Sequence, residues 1–266
     1  MVAVDEVLSG GITNAGAVVR RGEIVDRPAQ AHAAAIHRFL EALPEHGFSG
    51  APQPVGLRGG REQLTFVSGE VALLPYPAWS MTDAALRSVG VLLRRFREAS
   101  SAIPLEPGVR WATDWADPRG GTVLCHSDVC VENVVFRDGE AYGLIDFDMA
   151  APGRPLWDVA MAARYWVPML DPETAARFPS YVGLDSVRRL RILADGYGMS
   201  AEDRTQLLSV VEEVVVLERA DYAARVKAGD AAFVKAFHDH GGWAACDRLQ
   251  AWLADQSATF LAALIQ

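Results

Sequence analysis

The feature that most constrains this chain is a pair of short segments, Thr122–Phe136 and Leu144–Asp148. Two apolar runs, Val123-Leu124-Cys125 and Val134-Val135-Phe136, bracket a polar loop that carries His126, Asp128 and Asn133. A third run, Tyr142 to Ile145, follows an Asp138-Gly139 turn and ends on Asp146 and Asp148. Runs this short, rich in Val, Ile and aromatics and broken by Asp-Gly, read as small buried strands with a hairpin between the last two. The polar loop and the far end of the hairpin then lie side by side. That gathers Asp128, Asn133 and Asp146, two carboxylates and an amide.

Oxygen donors with few imidazoles or thiols suit a hard ion such as Mg²⁺, which keeps waters and takes further ligands from substrate phosphates. A carboxylate beside such an ion can orient a hydroxyl and accept its proton. The spacing H-x-D-x-x-x-x-N, followed by an Asp that ends a strand pair, matches the phosphoryl-transfer arrangement of kinases. An acidic hairpin loop without chemistry is the bland alternative for the same residues.

At these positions the chain resembles the aminoglycoside phosphotransferase and choline kinase-like family. The matching residues are His126, Asp128, Asn133 and the run Ile145-Asp146-Phe147-Asp148; Ala151–Ala160 is similar to the family's next landmark, in which Asp158 opens a buttressing helix. The resemblance implies an α+β, two-lobe protein-kinase-like fold. Residues 1–68 form a small β-rich nucleotide lobe and 69–266 a mostly helical substrate lobe. It also implies transfer of a phosphoryl group from ATP or GTP, with Mg²⁺, to a hydroxyl of a small molecule such as an aminoglycoside or another amino or sugar alcohol. Asp128 is then the base, Asn133 and Asp146 hold the metal, Asp148 supports them, and His126 orients the loop. A catalytically weak nucleotide binder is the competing reading. A protein kinase fits less well, because no Ala-Pro-Glu segment or long activation loop follows Asp146.

Composition narrows the partners. The 266 residues, half of them hydrophobic, suffice for a sizeable core. A net charge of −9 argues against nucleic acid, which needs a basic footprint. No run is long and apolar enough for a membrane span, and the first residues lack the pattern of a secretory signal. The three cysteines show no metal-like pairing, so reduced thiols in a cytoplasmic protein are expected.

Lysine is the anomaly. Only Lys227 and Lys235 occur, whereas most kinase-like folds place a Lys on an early strand to hold the nucleotide phosphates. Arg27 ends the strand Glu23–Arg27 just before Pro28 and aligns with that position, either filling the role or leaving it empty. Guanidinium binds phosphate well, with a different reach from an ammonium. The Gly10-Gly11 turn before this strand lacks the full spacing of a nucleotide loop.

Pro28 is expected to open a helix to about Leu43, with His37 or Glu41 in register to partner the basic residue. Arg61–Val67 reads as the last strand of the lobe. Phe66 and Val67 then face the nucleotide, ahead of a hinge at Ser68-Gly69-Glu70. Beyond it the period becomes helical: Thr82–Ala99 with Thr82 as N-cap, then about Trp157–Trp166, Leu184–Gly196, Ala201–Lys227 and Gly242–Leu264. Glu212, Glu213, Glu218 and Asp221 form either an acidic wall for a polyamine or a solvated helix face.

Overall fold

The computed structural model describes residues 6–8, 17–229 and 231–266, with only the backbone of Ala232; the Gly10-Gly11 turn lies outside them. Packing divides the chain into two compact units, Met1–Leu73 with Arg94–Pro155, and Leu74–Leu93 with Leu156–Gln266.

The first unit begins with an antiparallel sheet. Strands β1 (Glu6–Val7), β2 (Val19–Arg21), β3 (Ile24–Pro28), β4 (Pro54–Arg58) and β5 (Arg61–Thr65) lie in the order β1-β2-β3-β5-β4. Helix α1 (Ala33–Ala42) buries Ile36, Phe39 and Leu40, the apolar stripe its spacing foretells. Pro28 does not open it. The Ala29 amide donates to Gly60 O at 2.9 Å, which carries strand pairing past the proline, and helix starts only at Ala33.

The remaining strands of this unit are β6 (Glu70–Val71), β7 (Val123–Cys125), β8 (Val134–Arg137), β9 (Glu140–Leu144) and β10 (Ala151–Gly153). β8 and β9 form the expected hairpin, with Val134 opposite Leu144. Asp138 and Gly139 both take positive φ, the geometry that a two-residue turn needs to match strand twist. β7 pairs instead with β10, Cys125 opposite Ala151, so the strand leading into the polar loop belongs to a separate two-stranded ribbon. The C-terminal part of helix α2 (Asp83–Ala102) supplies Phe96, whose ring meets Phe39, Phe48 and Phe147 at 6.2, 5.4 and 5.9 Å.

A seam joins the loop before β4 to β9. Leu144 N donates to Gly50 O at 2.7 Å, and a Cβ on Gly50 or on Gly143 would meet a backbone oxygen at 2.3 Å.

The second unit is helical: α3 (Trp157–Trp166), α4 (Pro172–Ala175), α5 (Ser186–Tyr197), α6 (Ala201–Ala228), α7 (Ala231–Asp239) and α8 (Gly242–Ile265). Local chemistry sets the starts. Asp171 and Asp185 cap α4 and α5, and Ser200 with Asp203 closes a capping box on α6. Arg189 is 2% exposed, and its guanidinium donates to Trp166 O, at the C-terminus of α3, and to Met81 O. Carbonyls at a helix end suit a cation with no carboxylate in contact. No described helix is long and apolar enough to cross a membrane.

The seam is testable. Gly143→Ala should destabilise by about 1–3 kcal/mol, the usual cost of forcing a methyl into packed structure. Calorimetry should show a lower unfolding temperature, whereas an unchanged one would mean the two backbones part readily.

Candidate active site

β7 leads into the polar loop and ends one residue before His126, which is fully buried. His126 Nε2 donates to Ile145 O at 2.9 Å, and its Nδ1 accepts the Asp128 amide at 3.3 Å. These bonds require a neutral ring with its proton on Nε2. Burial agrees, pushing the ring's pKa down to about 4 against the pull of the Ile145 carbonyl and the Asp146 charge. His126 therefore ties the loop to the strand end that carries Asp146. Ser127, between His126 and Asp128, sits at φ 63°, a left-handed conformation unusual for a residue with a side chain.

Asn133 closes the loop. Its Nδ2 donates to Asp128 Oδ2 at 2.8 Å and to Asp128 O at 3.0 Å, and Ile145 N donates to Asn133 O. The Asp128 carboxyl is raised to about 6, first by burial and then by the charge of Asp146, despite hydrogen bonds from Asn133 and Cys130. Asp146 itself is left-handed at φ 66° and precedes a single 3₁₀ turn, Phe147–Met149, that aims Asp148 back toward β3.

Arg27 lies at the centre of that acidic end. Its Nε donates to Glu62 Oε1 at 2.9 Å, Nη1 to Asp146 Oδ1 at 2.6 Å, and Nη2 lies 2.6 Å from Asp148 Oδ1. Burial works to lower its pKa, but Asp148, Asp146 and Glu62 outweigh it and raise the pKa further, so the charge is permanent. Glu62 is directly opposite Arg27 across the β3–β5 ladder, and its second oxygen accepts from His37 Nε2 at 2.8 Å. The basic residue's partner is thus a strand glutamate. Of the two helix candidates, His37 reaches that glutamate and leaves the guanidinium to it. Asp148 is held further by Gln30 Nε2 at 3.1 Å, and its backbone carbonyl accepts from His32 at 3.0 Å. Burial raises the Asp148 carboxyl while Arg27 draws it back.

Glu62, Gln30 and His32 were not expected here. The signal for Glu62 lay in pairing β3 with β5 residue by residue, which sets charge against charge on one face. Phe66 and Val67 follow β5, half-buried; the Arg20 guanidinium lies 3.5 Å from the Phe66 ring centre. At the segment expected to be the hinge, Ser68 O accepts from Arg137 Nε at 2.8 Å, a bond within the first unit. Asp158 is the second residue of α3, buried in the helical unit.

The donors fit a hard cation. Asp128 is buried beside the charge of Asp146, a cost that a cation between carboxylates relieves. Among the described residues no three His, Cys, Asp or Glu form a self-sufficient metal cage. That composition suits Mg²⁺, which binds through one or two carboxylates and takes the rest from phosphate and water.

A loop aspartate held by an amide, facing a strand-end aspartate that pairs with a basic residue from the sheet, defines a small-molecule phosphotransferase of the kinase-like class. The chain belongs to the phosphotransferase enzyme family, whose model matches residues 72–193. It is 33% identical over 232 residues, 82% of this chain and 84% of the other, to a trifolitoxin immunity protein of Rhizobium leguminosarum bv. trifolii. Two solved structures share the two-lobe α+β fold. A choline/ethanolamine kinase family protein from Mesorhizobium loti superposes with TM-score 0.65 at 16% identity, covering 98% of this chain and 92% of that one. The GDP complex of aminoglycoside 2'-phosphotransferase-IIIa gives 0.63 at 17% identity, covering 96% and 94%.

Two opposed titrations follow from this geometry. A carboxyl raised to about 6 weakens the fold above that pH, and the penalty fades as pH falls toward its ordinary range. A buried imidazole lowered to about 4 does the reverse, losing about 3 kcal/mol as pH falls from the ordinary histidine value of about 6.5. Asp128→Asn should therefore raise the unfolding temperature near pH 8, with the gain shrinking below about pH 6. Thermal melts across that range check it; a variant less stable than the parent at high pH would contradict the burial of this charge.

Proposed function

We propose that the protein transfers the γ-phosphoryl group of ATP or GTP to a hydroxyl of a small molecule, with Mg²⁺. The observation that carries this reading is the Asp128 carboxylate: fixed by Asn133, backed by Asp146, and poised near pH 6 to accept a proton. Asp128 orients the acceptor hydroxyl and takes its proton as the oxygen attacks phosphorus. Asn133 and Asp146 hold the cation, which when bound neutralises the charge on the transferring phosphates. Asp148, held by Gln30 and Arg27, fixes the approach of Asp146. His126 positions the loop and moves no proton, because its Nε2–H is committed to Ile145.

In this reading Arg27 takes the place of the family's strand lysine and turns part of its fork to the nucleotide phosphates. Similarity over four-fifths of both chains to a protein named for trifolitoxin immunity favours an acceptor that is itself toxic and loses activity when phosphorylated.

Two variants test the assignment. Asp128→Asn should retain nucleotide binding while phosphoryl transfer falls roughly 10²–10⁴-fold, since an amide cannot accept the proton. Transfer near the parent rate would remove Asp128 from the role of base. Arg27→Ala should weaken nucleotide binding by roughly ten- to a hundredfold, the worth of one charge-assisted contact to phosphate. Unchanged affinity by calorimetric titration would leave Arg27 a structural counter-charge and strengthen the case for a nucleotide binder without transfer.

A further inference from the structure

The helical unit forms a half-open cavity of about 280 Å³ whose walls come entirely from that unit. Its body is aromatic and aliphatic: Phe178, Tyr181, Tyr222, Phe237, Val215 and Leu249 line it. That lining and size suit a compact ring-bearing ligand. Its charges are less ordinary. Three guanidiniums line it (Arg164, Arg177 and Arg219) against one carboxylate, Glu218.

That carboxylate is already engaged. Glu218 accepts from Arg164 Nη2 and from the Tyr222 hydroxyl, both at 2.7 Å, so an incoming ammonium would have to displace a buried pair. The carboxylates that answer Arg177 and Arg219 are Glu173 and Asp247, both well exposed, where water and salt weaken their hold. Of the acids on α6 that could form a wall, Glu212, Glu213 and Asp221 do not line this cavity.

We infer that this cavity binds a mostly apolar, ring-bearing small molecule that is uncharged or anionic, and that it rejects polycations. Treating that molecule as the phosphoryl acceptor rests on the phosphotransferase reading above; the binding chemistry does not. Aminoglycosides are then the wrong acceptor class.

A matched series isolates charge from shape: naphthylmethanol, naphthoate and naphthylmethylammonium, with kanamycin as the polycation, titrated calorimetrically into the full chain. The alcohol and the carboxylate should bind at least about tenfold more tightly than the ammonium, with no measurable kanamycin binding. Ala245→Trp, which fills the cavity, should abolish the naphthalene signal. Because that variant risks misfolding, Arg177→Glu with Arg219→Glu is the second arm. Both side chains are partly exposed, and the double reversal should favour the ammonium over naphthoate. Preference of the parent for either cation, no binding of any naphthalene, or no change in preference on charge reversal would overturn the inference. Transfer from Mg·ATP to naphthylmethanol is read separately: binding without transfer to this or any other alcohol leaves the cavity's chemistry standing and counts against the phosphotransferase reading alone.

Discussion

The ion cluster around Arg27 is the interaction on which the catalytic end of the molecule depends. One guanidinium, 7% exposed, meets three carboxylates from three segments: Glu62 of β5, Asp146 at the end of the hairpin, and Asp148 in the turn beyond it. Buried charges are costly alone and tolerable only when paired and hydrogen-bonded. Here each arm of the fork has its own acceptor, an arrangement that a lysine's single ammonium nitrogen cannot reproduce. The arginine at this position is thus matched to an acidic environment built around a planar cation. His37 and Gln30 complete the cluster by supplying donors to the outer oxygens of Glu62 and Asp148.

A second theme is that the site holds its groups in states they would not choose in water. Asp128 is buried beside another acid, His126 is sealed neutral, and Ser127 and Asp146 both occupy left-handed backbone. Each costs stability, and such costs concentrate where function needs fixed geometry. Phe147 offsets part of this from below, its ring 4.5 Å from His126 and 5.9 Å from Phe96. The loop is strained above a well-packed aromatic base.

Much of this was legible in the sequence because its signals are local. The Val123 and Val134 runs, the Asp138-Gly139 turn and the H-x-D-x-x-x-x-N spacing each involve near neighbours, and the long helix Ala201–Ala228 starts on a local capping box at Ser200 and Asp203. What escaped was set by pairing between distant segments. Nothing near Val123 says that its strand partners Ala151–Gly153, and nothing near Arg27 says that Glu62 stands opposite. Pro28 misled because proline is as much at home at a strand's end as at a helix's start, and the Gly60 carbonyl decided between them. Among the described residues, left-handed Gly229 marks the break between α6 and α7.

The seam between Gly50 and Gly143 bears on how sheet and hairpin are joined. Two backbones touch there with no side chain between them, tied by the bond from Leu144 N to Gly50 O. Such a contact leaves no room for a side chain on either segment, so main chain alone sets the spacing between the loop before β4 and β9. The pairs of Arg27 with Asp146 and Asp148 tie β3 to the end of the same hairpin, so sheet and hairpin are joined at two separate places.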